Sequence, residues 1–307
     1  MRVVRRHTPF AVELHELDPV EVSTSGGEEI RRLLVEHRVV VIRGTRMAPE
    51  QQVALMSLLG RVIREMPDSA YLPYPERVGG KVSYVTTRPG EYISGRDMLS
   101  YHSDFSFYRD GAGDAISLYA VEVEGNDPTT FVDMGLAARH MPAPLLERLR
   151  RLQLVKCANF FHNADDYGSR YRITDRVEGK DYGNTVSVHP AVIHHPRTGE
   201  ELVNICQTFT SHVKGWSYEA SEDLFAEVGH WQYLPQHTFR HHWQTGDLVI
   251  WDNIALQHGR DPLSESSIRH LRRVVTNPWD VEELQQRSGS ALDPRLPELQ
   301  PSSLDIS

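Results

Sequence analysis

Tyr101-His102-Ser103-Asp104-Phe105 sets a histidine and an aspartate two positions apart. On an extended segment, residues i and i+2 project to the same face. Read as a strand, the stretch presents one imidazole and one carboxylate together. These are two of the three donors of a 2-His-1-carboxylate site, which leaves metal positions open, as in non-haem Fe(II) oxygenases. The third donor must then come from a strand remote in sequence, so this reading requires a sheet fold with long-range pairing. A chain with 16 histidines also offers His-acid spacings by chance, as His15-Glu16-Leu17-Asp18 shows. The rest of the chain has to carry the assignment.

Working outward, Arg38-Val39-Val40-Val41-Ile42-Arg43 is short, β-branched and bounded by Gly44, which predicts a buried strand. Val82–Thr86, Ala115–Val121 and Asp247–Trp251 read as further strands, the last after the turn Thr245-Gly246. Helical spacing predicts helices over Glu28–His37, Pro49–Leu59, Pro142–Leu152 and Ala220–Gly229. Many short strands with a few helices indicate a mainly β fold with flanking helices, a double-stranded β-helix (jelly roll, cupin-like). No linker-like shift in composition occurs before the tail. A single domain is therefore expected over 1–288, with an irregular C-terminal tail over 289–307. The long, polar, aromatic stretch 160–184 is a candidate lid loop.

The chain has 307 residues, enough for one large core or two modest ones. A net charge of −9 argues against a nucleic-acid partner, which selects for a basic excess. Cys157 and Cys206 are the only cysteines, so no disulfide framework is implied and two reduced, mostly buried thiols are expected. No apolar run reaches the length of a membrane span. The basic start Met1-Arg2-Val3-Val4-Arg5-Arg6 lacks the apolar stretch of a signal peptide. The expectation is a cytoplasmic protein with a small-molecule substrate and no membrane partner; a homo-oligomer is compatible with the sequence.

The strand ending at Trp251 continues into Asp252-Asn253-Ile254-Ala255-Leu256-Gln257-His258, and His258 is the natural third ligand. Downstream, Arg269 and Arg273 share a strand face with Leu271. A guanidinium beside an open metal can clamp a carboxylate in a bidentate fork. His194-His195 and His241-His242 are poor ligand pairs, because adjacent strand residues face opposite ways. Trp243 and Trp251 are assigned to the core, and Tyr101, Phe105, Phe107, Phe160 and Phe161 are candidate pocket aromatics.

With these residues in place, the chain resembles the taurine/2,4-D dioxygenase (TauD/TfdA) family of Fe(II)- and 2-oxoglutarate-dependent oxygenases, from roughly Val39 to Thr276. His102-x-Asp104 matches the family's His-x-Asp. Asp127-Pro128-Thr129-Thr130 stands where members carry Gly-Gly-Asp-Thr, and the departure leaves Thr129 and Thr130 both in play. His189-Pro190 through His195-Pro196-Arg197-Thr198-Gly199 is similar to the family's hairpin, and His242 to His258 to its most recognisable block. Arg269 lies 11 residues and Arg273 15 residues after His258, as the family's two arginines do.

The resemblance implies Fe(II) held by His102, Asp104 and His258, with 2-oxoglutarate as co-substrate and O2 as oxidant. Thr129 and Arg269 would hold the far carboxylate of 2-oxoglutarate. Arg273 is left between co-substrate support, substrate anion binding and a structural ion pair. The implied reaction is hydroxylation of an unactivated C–H of a small molecule, giving succinate and CO2. Desaturation, cyclisation and oxidative decarboxylation share the same early steps. The carboxylate at Asp104 speaks against halogenation, which needs a small residue there. No His of the taurine-binding kind occurs between Met66 and Val78, which offers Tyr71, Tyr74 and Arg77 instead. Arg273, Arg77 and Lys81 point to an anionic or amino-acid-like substrate. Two other classes compete: a metal-free jelly-roll binding protein, and a zinc hydrolase, for which a carboxylate clamp has no use.

Overall fold

The computed structural model describes residues 2–6, 9–15, 18–65, 78–88, 96–110, 113–157 and 186–288. The expected lid loop 160–184, the tail 289–307, and Tyr71, Tyr74, Arg77, Phe160 and Phe161 lie outside the described residues.

Two sheets face each other. The larger has seven strands, in the spatial order Arg2–Arg6, Val12–His15, Val39–Ile42, Leu248–Asp252, Ala115–Glu124, Ile268–Thr276, Ser83–Thr86. The smaller has four, Thr238–His241, Thr129–Asp133, Leu256–Arg260 and Leu99–His102. The neighbours are antiparallel, except that Val12–His15 runs parallel to Val39–Ile42. Strands far apart in sequence lie side by side, the topology expected of a jelly roll.

The run Val39-Val40-Val41-Ile42 is continuously apolar because both of its faces are covered. Val39 and Val41 point between the sheets, where Phe131, Phe239, Val249, Trp251, Leu256 and Leu271 meet them. Val40 and Ile42 point to the other side, against Ile30, Leu33, Leu55 and Met56. Those residues belong to two helices, Gly27–His37 and Pro49–Leu59, which cap the large sheet. The apolar stripe of Gly27–His37 and the buried Val53, Leu55 and Met56 of Pro49–Leu59 cover that face of the sheet. A three-stranded sheet, Thr210–Val213, Gln153–Cys157 and Val186–Pro190, extends the structure on the side of the small sheet's edge strand Leu99–His102.

The turn at Thr245-Gly246 has a steric cause. Gly246 sits at φ +89°, and a Cβ there would come within 3.1 Å of the Thr45 carbonyl oxygen. Its own carbonyl accepts from Thr45 N–H, tying the turn to the end of the neighbouring strand.

Two buried histidines outside the candidate site make the fold acid-sensitive. Burial pushes His212 down to about 4. Burial, aided by the nearby Arg88 charge, does the same to His270, which stacks on Tyr84 at 4.8 Å. Both folded values lie below the unfolded value of about 6.5, so the unfolded chain binds more protons in acid. Their neutral burial costs nothing above pH ~6.5, and stability falls between about pH 6.5 and 4, by up to ~1.4 kcal/mol per pH unit for each group. Thermal unfolding across this window checks it; the melting temperature should fall less steeply toward acid in His212→Gln/His270→Gln than in the parent, and an unchanged slope removes the two residues from the effect.

Candidate metal centre and anion socket

Strand pairing performs the first step of assembly. Leu99–His102 runs antiparallel to Leu256–Arg260 with His258 directly opposite His102. Directly opposed residues project to one face, and the two imidazole centroids lie 4.4 Å apart. Asp104, just past the strand end, turns its carboxylate toward both rings. Its Oδ1 is 3.4 Å from His102 Nε2 and its Oδ2 3.9 Å from His258 Nε2. One donor atom from each of the three residues lies within 4.8 Å of the other two, so together they could hold a metal ion. No other His/Cys/Asp/Glu group among the described residues has this property. Ser103, between them, faces away and donates to Leu256 O at 2.7 Å.

The donors are also chemically prepared. His102 Nδ1 lies 2.7 Å from Ser100 O, so Nδ1 carries a proton and Nε2, facing Asp104, is the nitrogen a metal would take in place of its proton. Burial, reinforced by the neighbouring His102 charge, pushes His258 down to about 3, so this imidazole is neutral. Burial disfavours charge on His102 and Asp104 as well, but their mutual hydrogen bond and attraction win. The His102 value is raised and the Asp104 value lowered.

Asn253 holds the aspartate from behind. Its Oδ1 accepts from Asp104 N–H at 3.1 Å and its Nδ2 donates to Asp104 O at 2.9 Å and to Gly113 O at 3.1 Å. The next residue, Phe105, takes φ +63°, an uncommon conformation for a side-chain-bearing residue, and this turns the chain away immediately after Asp104. Asp252, beside Asn253, is buried and shared by His195 Nε2 at 2.9 Å and Arg197 Nη2 at 3.0 Å. Its other oxygen accepts from Ile254 and Ala255 N–H, so it fixes the crossover from the large sheet to the small one. If this scaffold positions Asp104, Asn253→Ala will weaken Mn(II) binding by roughly 10- to 100-fold. Titration followed by the free-Mn(II) spin-resonance signal tests it; unchanged affinity in a folded variant rules the role out.

Arg269 and Thr129 meet as expected. Arg269 Nη2 donates to Thr129 Oγ1 at 2.6 Å, and the guanidinium lies 5.6 Å from the Trp243 ring centre. Strand alternation decides between the two threonines: Thr129 shares its inward face with Phe131, whereas Thr130 faces the other way. Trp243 Nε1 also donates to Thr129 Oγ1, at 2.9 Å. Arg269 Nε and Nη1 are buried with no hydrogen-bond partner among the described residues. Burial and the nearby Arg260 push the guanidinium down to about 9, so it keeps its charge at neutral pH. Buried, charged donors without acceptors are costly, and an incoming carboxylate offers the missing acceptors in a matching fork. The residues therefore fit a carboxylate co-substrate.

Arg273 lies differently. Its Nη2 donates to Asp104 Oδ2 at 2.8 Å, its Nη1 pairs with Glu65, and its guanidinium lies 5.5 Å from the Phe105 ring centre. The wall beside the triad is aromatic: Phe209 packs edge-on to His102, Phe107 contacts Phe209, and Phe131 and Trp251 flank His258. The tempting histidine pairs split as strand geometry requires. His195 and His241 are buried, whereas His194 and His242 face outward, and none approaches the triad. Cys206 is buried and Cys157 half-buried, both as free thiols.

Residues that escaped the sequence reading include Ser100, Phe131 and Phe209 around the histidines, Glu65, Asn253, and Trp243 as a hydrogen-bond donor. Asn253 stood inside the Trp251-Asp252-Asn253 block, where an amide on a crossover turn is the available signal. Glu65 had none.

A profile of the Taurine catabolism dioxygenase TauD, TfdA family matches residues 4–275, further toward the N-terminus than the sequence resemblance reached. The chain is 29% identical over 285 residues to the alpha-ketoglutarate-dependent 2,4-dichlorophenoxyacetate dioxygenase of Cupriavidus pinatubonensis, covering 88% of this chain and 95% of that one. It is 30% identical over 256 residues to the alpha-ketoglutarate-dependent sulfate ester dioxygenase of Pseudomonas putida, covering 81% and 79%. Its fold is that of a taurine dioxygenase from Burkholderia xenovorans, with a TM-score of 0.66, 23% identity and 90% coverage of each chain. No helix among the described residues is long and apolar enough to cross a membrane. With a family match across nearly its whole length, the chain belongs to the TauD/TfdA dioxygenase family.

Proposed function

We propose that this 2-oxoglutarate-dependent dioxygenase holds Fe(II) between His102, Asp104 and His258 and hydroxylates a C–H bond of a small molecule, with residues 1–288 acting as one catalytic unit. The observation that carries the reading is a juxtaposition. Three converging donors share a site with a buried guanidinium whose Nε and Nη1 lack acceptors. A zinc hydrolase has no use for the second feature, and a metal-free binding protein has no use for the first. Iron at this position supplies the activation of O2 that couples decarboxylation of 2-oxoglutarate, to succinate and CO2, to oxidation of the substrate.

The protein's own contribution is placement. Ser100 O sets the His102 tautomer, Asn253 holds the Asp104 backbone, and Arg269 with Thr129 receives the distal carboxylate. The aromatic wall of Phe107, Phe131, Phe209 and Trp251 keeps the site dry, which strengthens every electrostatic contact inside it. The relatives named for 2,4-dichlorophenoxyacetate and a sulfate ester support a small-molecule substrate.

Anaerobic addition of Fe(II) and 2-oxoglutarate is expected to give a weak visible charge-transfer band, since an open-sided triad leaves iron positions for the co-substrate. Aerobic succinate release should require iron and O2 and should rise when a substrate is supplied. A folded protein that shows no band, or succinate release supported equally by zinc, would overturn the reading.

A further inference from the structure

The site contains two buried arginines in opposite electrostatic states. Arg269 has unfilled donors and no carboxylate at ion-pair distance among the described residues. Arg273 has two carboxylates, Glu65 and Asp104, on one guanidinium. The Glu65 pair is built rather than incidental. Its side chain is only 9% exposed, and Oε1 accepts from Ser83 Oγ at 2.9 Å. Ser83 is the residue directly opposite Arg273 on the adjoining strand. One strand position thus supplies the cation, and its cross-strand neighbour orients the anion that neutralises it.

We propose that Glu65 closes Arg273 to anions, and that the substrate presents an uncharged group to this end of the site. The inference deepens the proposed function and rests on that reading of the iron site. A substrate carboxylate, sulfonate or sulfate reaching Arg273 would have to displace Glu65. Among the described residues Ser83 would be Glu65's one remaining partner, and stripping one side of a buried ion pair is strongly unfavourable. The charge that Arg273, Arg77 and Lys81 suggested in the sequence is therefore cancelled at Arg273. The anion the site is built to accept lies at Arg269, where the co-substrate's carboxylate fits.

The test uses the full chain loaded anaerobically with Fe(II) and 2-oxoglutarate and titrated with methanesulfonate, a small anion. Heat of binding and perturbation of the visible band are both read. Wild type is expected to show no saturable response. Glu65→Gln keeps the size and the Ser83 hydrogen bond but removes the charge. It should bind methanesulfonate at least about tenfold more tightly than wild type, and Glu65→Gln/Arg273→Met should lose that gain. Saturable binding to wild type that Arg273→Met abolishes overturns the inference, and so does a Glu65→Gln protein that forms the band yet gains nothing. If Glu65→Gln does not fold, the comparison of wild type with Arg273→Met still decides. Failure of the wild-type band itself would strike the iron-site reading instead.

Discussion

Replacing Asp104 with Asn is expected to cut iron-dependent succinate formation by more than the roughly 100-fold that loss of an outer-sphere partner costs. The substitution preserves shape, so the Asn253 clamp on the backbone of residue 104 remains. Arg273 keeps Glu65 as its counter-charge, so no cation is left unpaired. What disappears is the single anionic donor between two imidazoles. A divalent cation held only by neutral donors loses most of its electrostatic attraction. Circular dichroism should show a folded protein, and Mn(II) titration should show affinity collapsing with activity. Iron-dependent turnover within a few-fold of the parent would remove Asp104 from the ligand set.

Arg269→Met carries the second large effect. Methionine fills much of the space over Trp243 while removing the charge. Truncating one side of a buried, hydrogen-bonded charge pair costs about 2–5 kcal/mol. The KM for 2-oxoglutarate should therefore rise about 30-fold or more. The iron site should be untouched, so Mn(II) affinity stays near the parent value. That split separates Arg269 from the Asp104 result, in which metal affinity is the property lost. If KM stays near the parent value, the distal carboxylate lies elsewhere.

Much of the architecture was legible because it depends on local periodicity. The helix predicted at Pro49–Leu59 has those bounds in the structure. The helix predicted over Ala220–Gly229 extends to Tyr218–Gln232, because Ser217 caps its start by accepting from Ala220 N–H. The strand predicted over Ala115–Val121 runs to Glu124, where pairing with Ile268 carries it past its apolar portion. Strand ends follow partners as well as composition, and a partner 144 positions away leaves no local trace.

The site divides along the same line. His102, Asp104 and His258 followed from alternation on strands and from motif spacing, and the choice of Arg269 as clamp from the resemblance to the family. Alternation and spacing are both properties of consecutive residues. The Asn253 clamp and the state of Arg273 needed the folded chain. Each depends on which side chains face one another across sheets, and for Arg273 the deciding partner, Glu65, lies 208 positions away. By itself the sequence brought forward His102, Asp104 and His258 as a candidate metal triad and Arg269 as a candidate carboxylate clamp. Only the tertiary structure decided which arginine remains electrostatically open, because the charge available to a ligand is set by the neighbours in space that have already neutralised it.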